Sequence, residues 1–388
     1  MHSSYKLKTL TNLNEVLALE PKWRILTETT TEKTTSHKTD LPCFMAWEWL
    51  NQWLQAYQDF IIELKVICIL YNDETVAIAP FYICINKAWG NTTKTLSLIA
   101  TNEPEHCEIA SEFIDVAYSI KHKQKIIELL TVHLVESAES VELNRITQYS
   151  FKDLHKNSLM FLICQKVKPQ MLAYKEQISG YQFVTNIDNH SHYSASFLKK
   201  KKRILNRYYK MSNAKDCQFI IAKSKTVALE LYEQLVQLHQ KRWQKKDKAG
   251  VFSDDYFYTF HKNFIKQSFE KGMVVLSAIQ IEGKIISVNY SIKWHNTLYF
   301  YQSGIDETYK PNLSPGLLNH LLLIDYCEKQ HIQQYNLLKS TKKDDYKSQF
   351  AQLSDELIDI TMLLPSKLNL FWFVLDRVKQ VLKRLRRS

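Results

Sequence analysis

Two short segments have the residue types and spacing to hold an anion. The run Tyr301-Gln302-Ser303-Gly304 closes an apolar stretch that reads as a strand, and Ser314-Pro315-Gly316-Leu317 opens the next helical stretch. At a helix start the first N–H groups have no intrahelical partner and the peptide dipoles add positive potential, so a phosphate or diphosphate is well received there. Pro315 suits the first helical position, where its missing N–H costs nothing, and Gly316 would let an anion approach the backbone. The plainer reading makes Ser314 an ordinary N-cap ahead of a core helix.

The sequence has seven glycines, five of them between Gly250 and Gly316. Neither a Walker loop nor a G-x-G-x-x-G can be assembled from them, which removes the main support for an ATP or nicotinamide site. His190-Ser191-His192 and His106-Cys107 lack partners at ligand spacing, so no metal site is expected.

The surrounding elements follow from periodicity. Helical spacing covers Trp47 to Leu54, and two strands, Leu64 to Leu70 and Thr75 to Phe81, flank the turn residues Asn72-Asp73. A strand at 95–99, a helix at 123–135 and a strand at 144–149 follow. The polar stretch Gln177 to Ser191, with Gly180 and Asn186, reads as the boundary between two domains. Beyond it come a basic helix (196–212), a strand (218–222), helices at 225–243 and 254–269, and strands at 273–280, 284–292 and 298–303. The helix opened by Ser314 runs to about Lys329, and strands at 334–338 and 357–362 precede a tail helix.

With 388 residues, two domains are expected: 1–185 and 186–365, followed by a basic amphipathic helix at 366–388. Apolar residues make up 45% and aromatic residues 12%, enough for substantial cores. No run approaches the ~18–20 apolar residues that span a bilayer, and the first residues lack a signal-peptide layout, so a cytoplasmic protein is expected. The seven cysteines are scattered and without C-x-x-C pairing, as buried or idle thiols would be.

The segments Leu238-His239-Gln240-Lys241-Arg242-Trp243, Gly250-Val251-Phe252-Ser253-Asp254 and Phe260-His261 resemble the GNAT-type acetyltransferase domain of the CelD group of cellulose-biosynthesis proteins, itself similar to the FemABX aminoacyltransferases. The resemblance continues through Gly283-Lys284-Ile285-Ile286, Tyr299 to Asp306, Ser314 to Leu318, Tyr335 to Leu338 and Asp345-Tyr346-Lys347. Pro42-Cys43-Phe44 and Val76 to Pro80 extend it into the N-terminal half. It implies an α/β fold of two GNAT-like mixed-sheet halves in tandem, the C-terminal half being the acyltransferase. Its sheet would splay to admit acetyl-CoA or another acyl-CoA as co-substrate, with no metal. Carried onto this chain, the cofactor falls at Ser303, Gly304, Ser314, Pro315, Gly316 and Leu317. Where the family tends to have Asp-x-x-x-Gly, this chain has Asn336 and Ser340.

Acyl transfer to an amine needs a base for the amine proton and an acid for the leaving thiolate. His239, Asp306 and Tyr346 are the candidates; each also has a structural reading, as a satisfied helix histidine, a loop acid and a packing tyrosine. The expected acceptor is a small-molecule amine on a sugar, amino acid or envelope precursor. Two alternatives stay open: a catalytically silent binding or membrane-peripheral protein, and FemABX-like aminoacyl transfer from tRNA.

The net charge of +11 is concentrated in two places. Lys199 to Lys210 holds seven basic residues and no acid; 366–388 holds seven against Asp376 alone. The tail's apolar stripe, Phe371, Val374, Leu375, Val378, Leu382 and Leu385, suits either docking on the protein's own body or a partner, or an anionic membrane surface, which would put the protein at the periphery of the inner membrane face. No nucleic-acid module surrounds the Lys199 run, so nucleic acid is not the expected partner.

Overall fold

The computed structural model describes residues 4–28, 41–88, 91–139, 146–188, 193–214, 216–309, 313–366, 369–371 and 373–374. The chain forms two units. One comprises Met1–Pro104, Glu108–Ser179 and Glu356–Ser388; the other comprises Glu105–Cys107 and Gly180–Asp355.

The first unit runs β1 (Tyr5–Leu10), α1 (Leu13–Leu17), α2 (Glu20–Glu28), α3 (Trp47–Ala56), β2 (Glu63–Tyr71), β3 (Glu74–Ala88), β4 (Asn91–Leu98), β5 (Ala117–Tyr118), α4 (Lys123–Glu139), β6 (Gln148–His155) and α5 (Leu159–Val167). Its sheet order is β1-β2-β3-β4-β6, with β5 beside β3. Asn72 and Asp73 both have positive φ, so the two-residue turn between β2 and β3 has the twist a hairpin needs, as their types predicted. Helix α3 buries Trp49 and Trp53. The Trp49 indole donates to Ser111 Oγ at 2.8 Å and the Trp53 indole to the Glu103 carboxyl. The strand beyond β6 is β13 (Gln352–Leu363), which supplies the last sequence element of the sheet from residues near the end of the chain.

The second unit takes its outer strand from β7 (Ala173–Asn186), then runs α6 (Ala195–Asn213), β8 (Cys217–Ile221), α7 (Lys225–Gln244), α8 (Asp255–Ser268), β9 (Val274–Ile281), β10 (Lys284–Trp294), β11 (Thr297–Ile305), α9 (Pro315–Lys329) and β12 (Gln334–Ser340). Sheet order is β7-β12-β11-β10-β9-β8. In both units an antiparallel meander leads through one helix to a parallel strand: β4-α4-β6 in the first, β11-α9-β12 in the second. The fold is thus mixed α/β with two similar halves in tandem.

Two sequence expectations differ from the structure. The stretch read as an irregular boundary lies largely within a 14-residue strand, β7. Only its first part, around Lys175 to Ile178, is exposed, while the polar Gln182 and Thr185 are buried in the sheet; Gly180 serves close approach instead of a turn, since a Cβ there would collide with Lys339 Cγ and stand 2.8 Å from the Ser340 carbonyl. A single cut at 185/186 also leaves β13 in the wrong half, because its Leu357–Leu363 segment pairs with β6. Of the tail helix, 369–371 and 373–374 are described and helical; residues 375–388 lie outside the described residues. Asn369 pins its start by donating to the carbonyls of Thr147 and Leu364 at 2.8 Å each.

Candidate active site

Strands β11 and β12 pair over three residues, Thr297 to Tyr299 against Gln334 to Asn336, and then part. The cause is local. Asn336 Oδ1 accepts the Leu338 amide at 2.8 Å, Leu338 takes φ +58, and the pairing of β12 with β7 shifts register over the same residues. This side-chain-to-backbone bond diverts the strand from its neighbour. Beyond Tyr299 and Asn336 the two strands make no further pairing among the described residues.

Downstream of β11 the chain enters α9 through Ser314. Ser314 is left-handed (φ +49, ψ +63) and makes no side-chain cap, so it is not the ordinary N-cap that the plainer reading assigned. Pro315 occupies the first helical position and the Leu318 amide reaches the Ser314 carbonyl at 3.0 Å. The amides of Gly316 and Leu317 make no hydrogen bond among the described residues, which leaves two donors and the positive dipole end for an anion. Leu317 and Gly316 are partly exposed.

The glycines divide the anticipated cofactor set. A Cβ on Gly304 would lie 2.5 Å from the Leu235 carbonyl and 2.8 Å from Leu238 Cβ, so Gly304 serves the seating of α7 on β11. A Cβ on Gly316 would meet only the end of the Ile305 side chain, at 2.6 Å. Ser303 is partly exposed, pairs with Asn289 across the ladder, and donates its amide to Gln302 Oε1 at 3.0 Å.

Helix α7 begins at Ser224, whose hydroxyl accepts the Val227 amide, and buries Ala228, Leu231, Tyr232, Leu235, Leu238 and His239 along one stripe. His239 is therefore fixed by the helix period. Its ring lies edge-on to Phe252 (5.0 Å between centroids) and Nδ1 is 3.2 Å from Gln240 Oε1. Burial lowers its pKa to about 4, Gln240 offsets this in part, and the Arg242 charge lowers it further. The imidazole is neutral at physiological pH and able to accept a proton.

Asp306 is committed elsewhere. Its carboxylate accepts from the Thr308 hydroxyl (2.7 Å), the Thr308 amide (3.1 Å) and Lys284 Nζ (2.9 Å). Burial alone would raise its pKa, but the bonds from Thr308 and Lys284 outweigh that and hold it well below the carboxylate range. So strong an acid is a poor proton acceptor; its geometry is that of a clasp on the loop after β11.

Tyr346 opens the short helical turn Tyr346–Gln349, initiated by Asp345, whose side chain accepts the Lys347 amide. Its ring is half exposed, while burial of the hydroxyl and the charge of Asp345 push its pKa up to about 12, with Arg242 pulling the other way. Arg242 thus acts on both His239 and Tyr346, and its Nε is 3.2 Å from Glu307 Oε1.

Two residues were not singled out from the sequence. Lys347 is buried, and its ammonium donates to the carbonyls of Leu337 and Lys339, each at 2.7 Å. His320 is buried on α9 with Nδ1 2.8 Å from the Tyr335 hydroxyl, and its ring packs on Phe300 and Phe350. Burial and the nearby Lys347 lower its pKa to about 3. A lone histidine inside Leu317-Leu318-Asn319-His320-Leu321-Leu322 was the available signal. No group of three His, Cys, Asp or Glu side chains suited to a metal is found among the described residues.

Residues 199–348 match the family model described as acetyltransferase (GNAT) domain. Among solved structures, FemX aligns over 92% of this chain and 97% of its own at 10% identity, with a TM-score of 0.55. A conserved protein of unknown function from Bacteroides thetaiotaomicron VPI-5482 aligns over 93% and 100% at 12% identity, with a TM-score of 0.51. At such identities the likeness is one of fold. No curated protein matches the sequence.

Proposed function

We propose, for a chain whose residues 199–348 form a GNAT-superfamily domain, that it transfers an acyl group from an acyl-CoA to an amine. The observation that carries this reading is the parting of β11 from β12 beyond Tyr299 and Asn336, together with an α9 start whose Gly316 and Leu317 amides make no hydrogen bond among the described residues. These amides, with Leu317 and the Ser303 segment of β11, would hold the co-substrate's diphosphate and its arm.

The thioester supplies an activated acyl carbon. In the transfer a bond forms from the acceptor nitrogen to that carbon, the carbon–sulfur bond breaks, and one proton moves from nitrogen while another arrives at sulfur. His239, neutral and buried, takes the amine proton. Tyr346, protonated over the whole working range, donates to the thiolate, and the Arg242 charge favours its ionised form. Asp306 contributes by holding the loop between β11 and α9. The acceptor is an amine on a sugar, amino acid or envelope precursor.

The test combines binding with turnover. Acetyl-CoA and longer acyl-CoAs are titrated while thermal unfolding is followed, since a ligand of the native state alone raises the melting temperature. Transfer to an amine panel is then measured for the native chain, His239→Ala and Tyr346→Phe. A rise in melting temperature with turnover that both variants lose supports the assignment. Binding with no turnover points to the silent accessory alternative, for which the Asn336 and Ser340 departures speak. No thermal response to any acyl-CoA overturns the reading.

A further inference from the structure

Helix α6 carries seven cations and no acid. It buries Phe197, Ile204 and Tyr208 and turns the opposite side to solvent. Two of its lysines fold back on the body: Lys200 Nζ donates to Gln349 Oε1 at 3.0 Å, and Lys201 Nζ stands 5.4 Å over the Tyr193 ring. The other five, Lys199, Lys202, Arg203, Arg207 and Lys210, are exposed and make no ion pair or hydrogen bond among the described residues.

The same outward side carries two large apolar groups, Leu198 at 47% and Tyr209 at 49% exposure. At ~100° per residue, Leu198, Tyr209 and Lys202 share one edge of that side, and Lys199, Arg203, Arg207 and Lys210 share the other. Leu198 and Tyr209 are three turns apart, about 16 Å along the axis. A cationic face with apolar anchors set into it, the anchors ending in a branched alkyl group and an amphipathic ring, matches a lipid interface. Phosphodiester recognition would use the cations and gain nothing from Leu198.

We propose that the outward side of α6 docks the protein on an anionic membrane, Leu198 and Tyr209 entering the headgroup region while the five cations meet lipid phosphates. This goes beyond the transfer chemistry and does not depend on it. It also differs from attachment through the tail, since α6 lies wholly within the second unit.

The experiment uses the full chain with Leu198→Cys carrying an environment-sensitive fluorophore; all seven native cysteines are buried, so labelling is selective. Vesicles of phosphatidylcholine alone, or mixed with phosphatidylglycerol, are added at low and high salt. The label should shift to the blue with the anionic vesicles only, and salt should reverse the shift. Replacing the five cations by glutamine should reduce co-sedimentation at least about tenfold while the melting temperature holds. A chain ending at Val374 should keep the label's response. An unmoved label, undiminished sedimentation of the glutamine variant, loss of response on removing 375–388, or a response to tRNA or duplex DNA in place of vesicles would each overturn the proposal.

Discussion

The ammonium of Lys347 donates to the Leu337 carbonyl at 2.7 Å, and to that of Lys339 at the same distance. A charge from the turn after β12 is thus spent on the backbone of the strand that has left β11. Lys347→Met leaves two acceptors without their donor, which should lower stability by about 1–3 kcal/mol. Urea unfolding checks this; an unchanged midpoint would show that the carbonyls find other donors.

Gly304 and Gly316 should respond differently to a methyl group. At Gly304 it meets the Leu235 carbonyl and Leu238 Cβ, both rigid parts of α7, so Gly304→Ala should cost about 1–3 kcal/mol. At Gly316 it meets the rotatable end of Ile305, so Gly316→Ala should cost under about 1 kcal/mol. Equal losses by calorimetry would contradict the packing role assigned to Gly304.

Glu103 is buried against the Trp53 indole, and burial raises its pKa to about 8, the bonds to its carboxylate offsetting only part. Its folded value lies above the ordinary 4.5, so its contribution is complete below about 4.5 and is lost as pH rises through about 8. Glu103→Gln keeps an acceptor for Trp53 and removes the charge. It should raise stability by a few kcal/mol, roughly, above pH 8 and change little near pH 4.5. Melting curves at the two pH values decide it.

Three buried histidines, His239, His261 and His320, all have lowered pKa values through burial, to about 4 for His239 and about 3 for His320. Their folded values lie below the ordinary 6.5, so the stability they contribute is present above 6.5 and lost as pH falls toward 4. Acid unfolding should therefore begin below about pH 6.5, and His320→Phe should soften its slope. An identical pH dependence in that variant would exclude His320 from the effect.

With His239 as base, transfer at limiting amine should stay free of an ionisation at 6.5, because the imidazole is neutral down to about 4. His239→Ala should lower kcat/KM by about 10²–10⁴-fold. Initial rates across the pH range measure both.

Much of this architecture is legible in the residues. Asn72-Asp73 announces its hairpin because positive φ is tolerated at both residue types, and Ser314-Pro315-Gly316 announces a helix start. The splay is not legible, since it arises from one side chain, Asn336, capturing the Leu338 amide two residues on. Nor is β7: its Gln182 and Thr185 are polar yet buried, and polar residues around Gly180 have the composition of a loop. Lys347 hides for a different reason, since lysine is so rarely buried that the sequence alone gives no cause to place its ammonium on backbone carbonyls.

The first unit's sheet is completed beside β6 by β13, from residues 356 onward. A ribosome making this chain must therefore finish almost all of it before the earliest-made half can mature. A gene fragment stopping near residue 185 should yield an N-terminal product with an uncovered strand edge, prone to aggregate. The two similar halves should therefore be expressed as one piece.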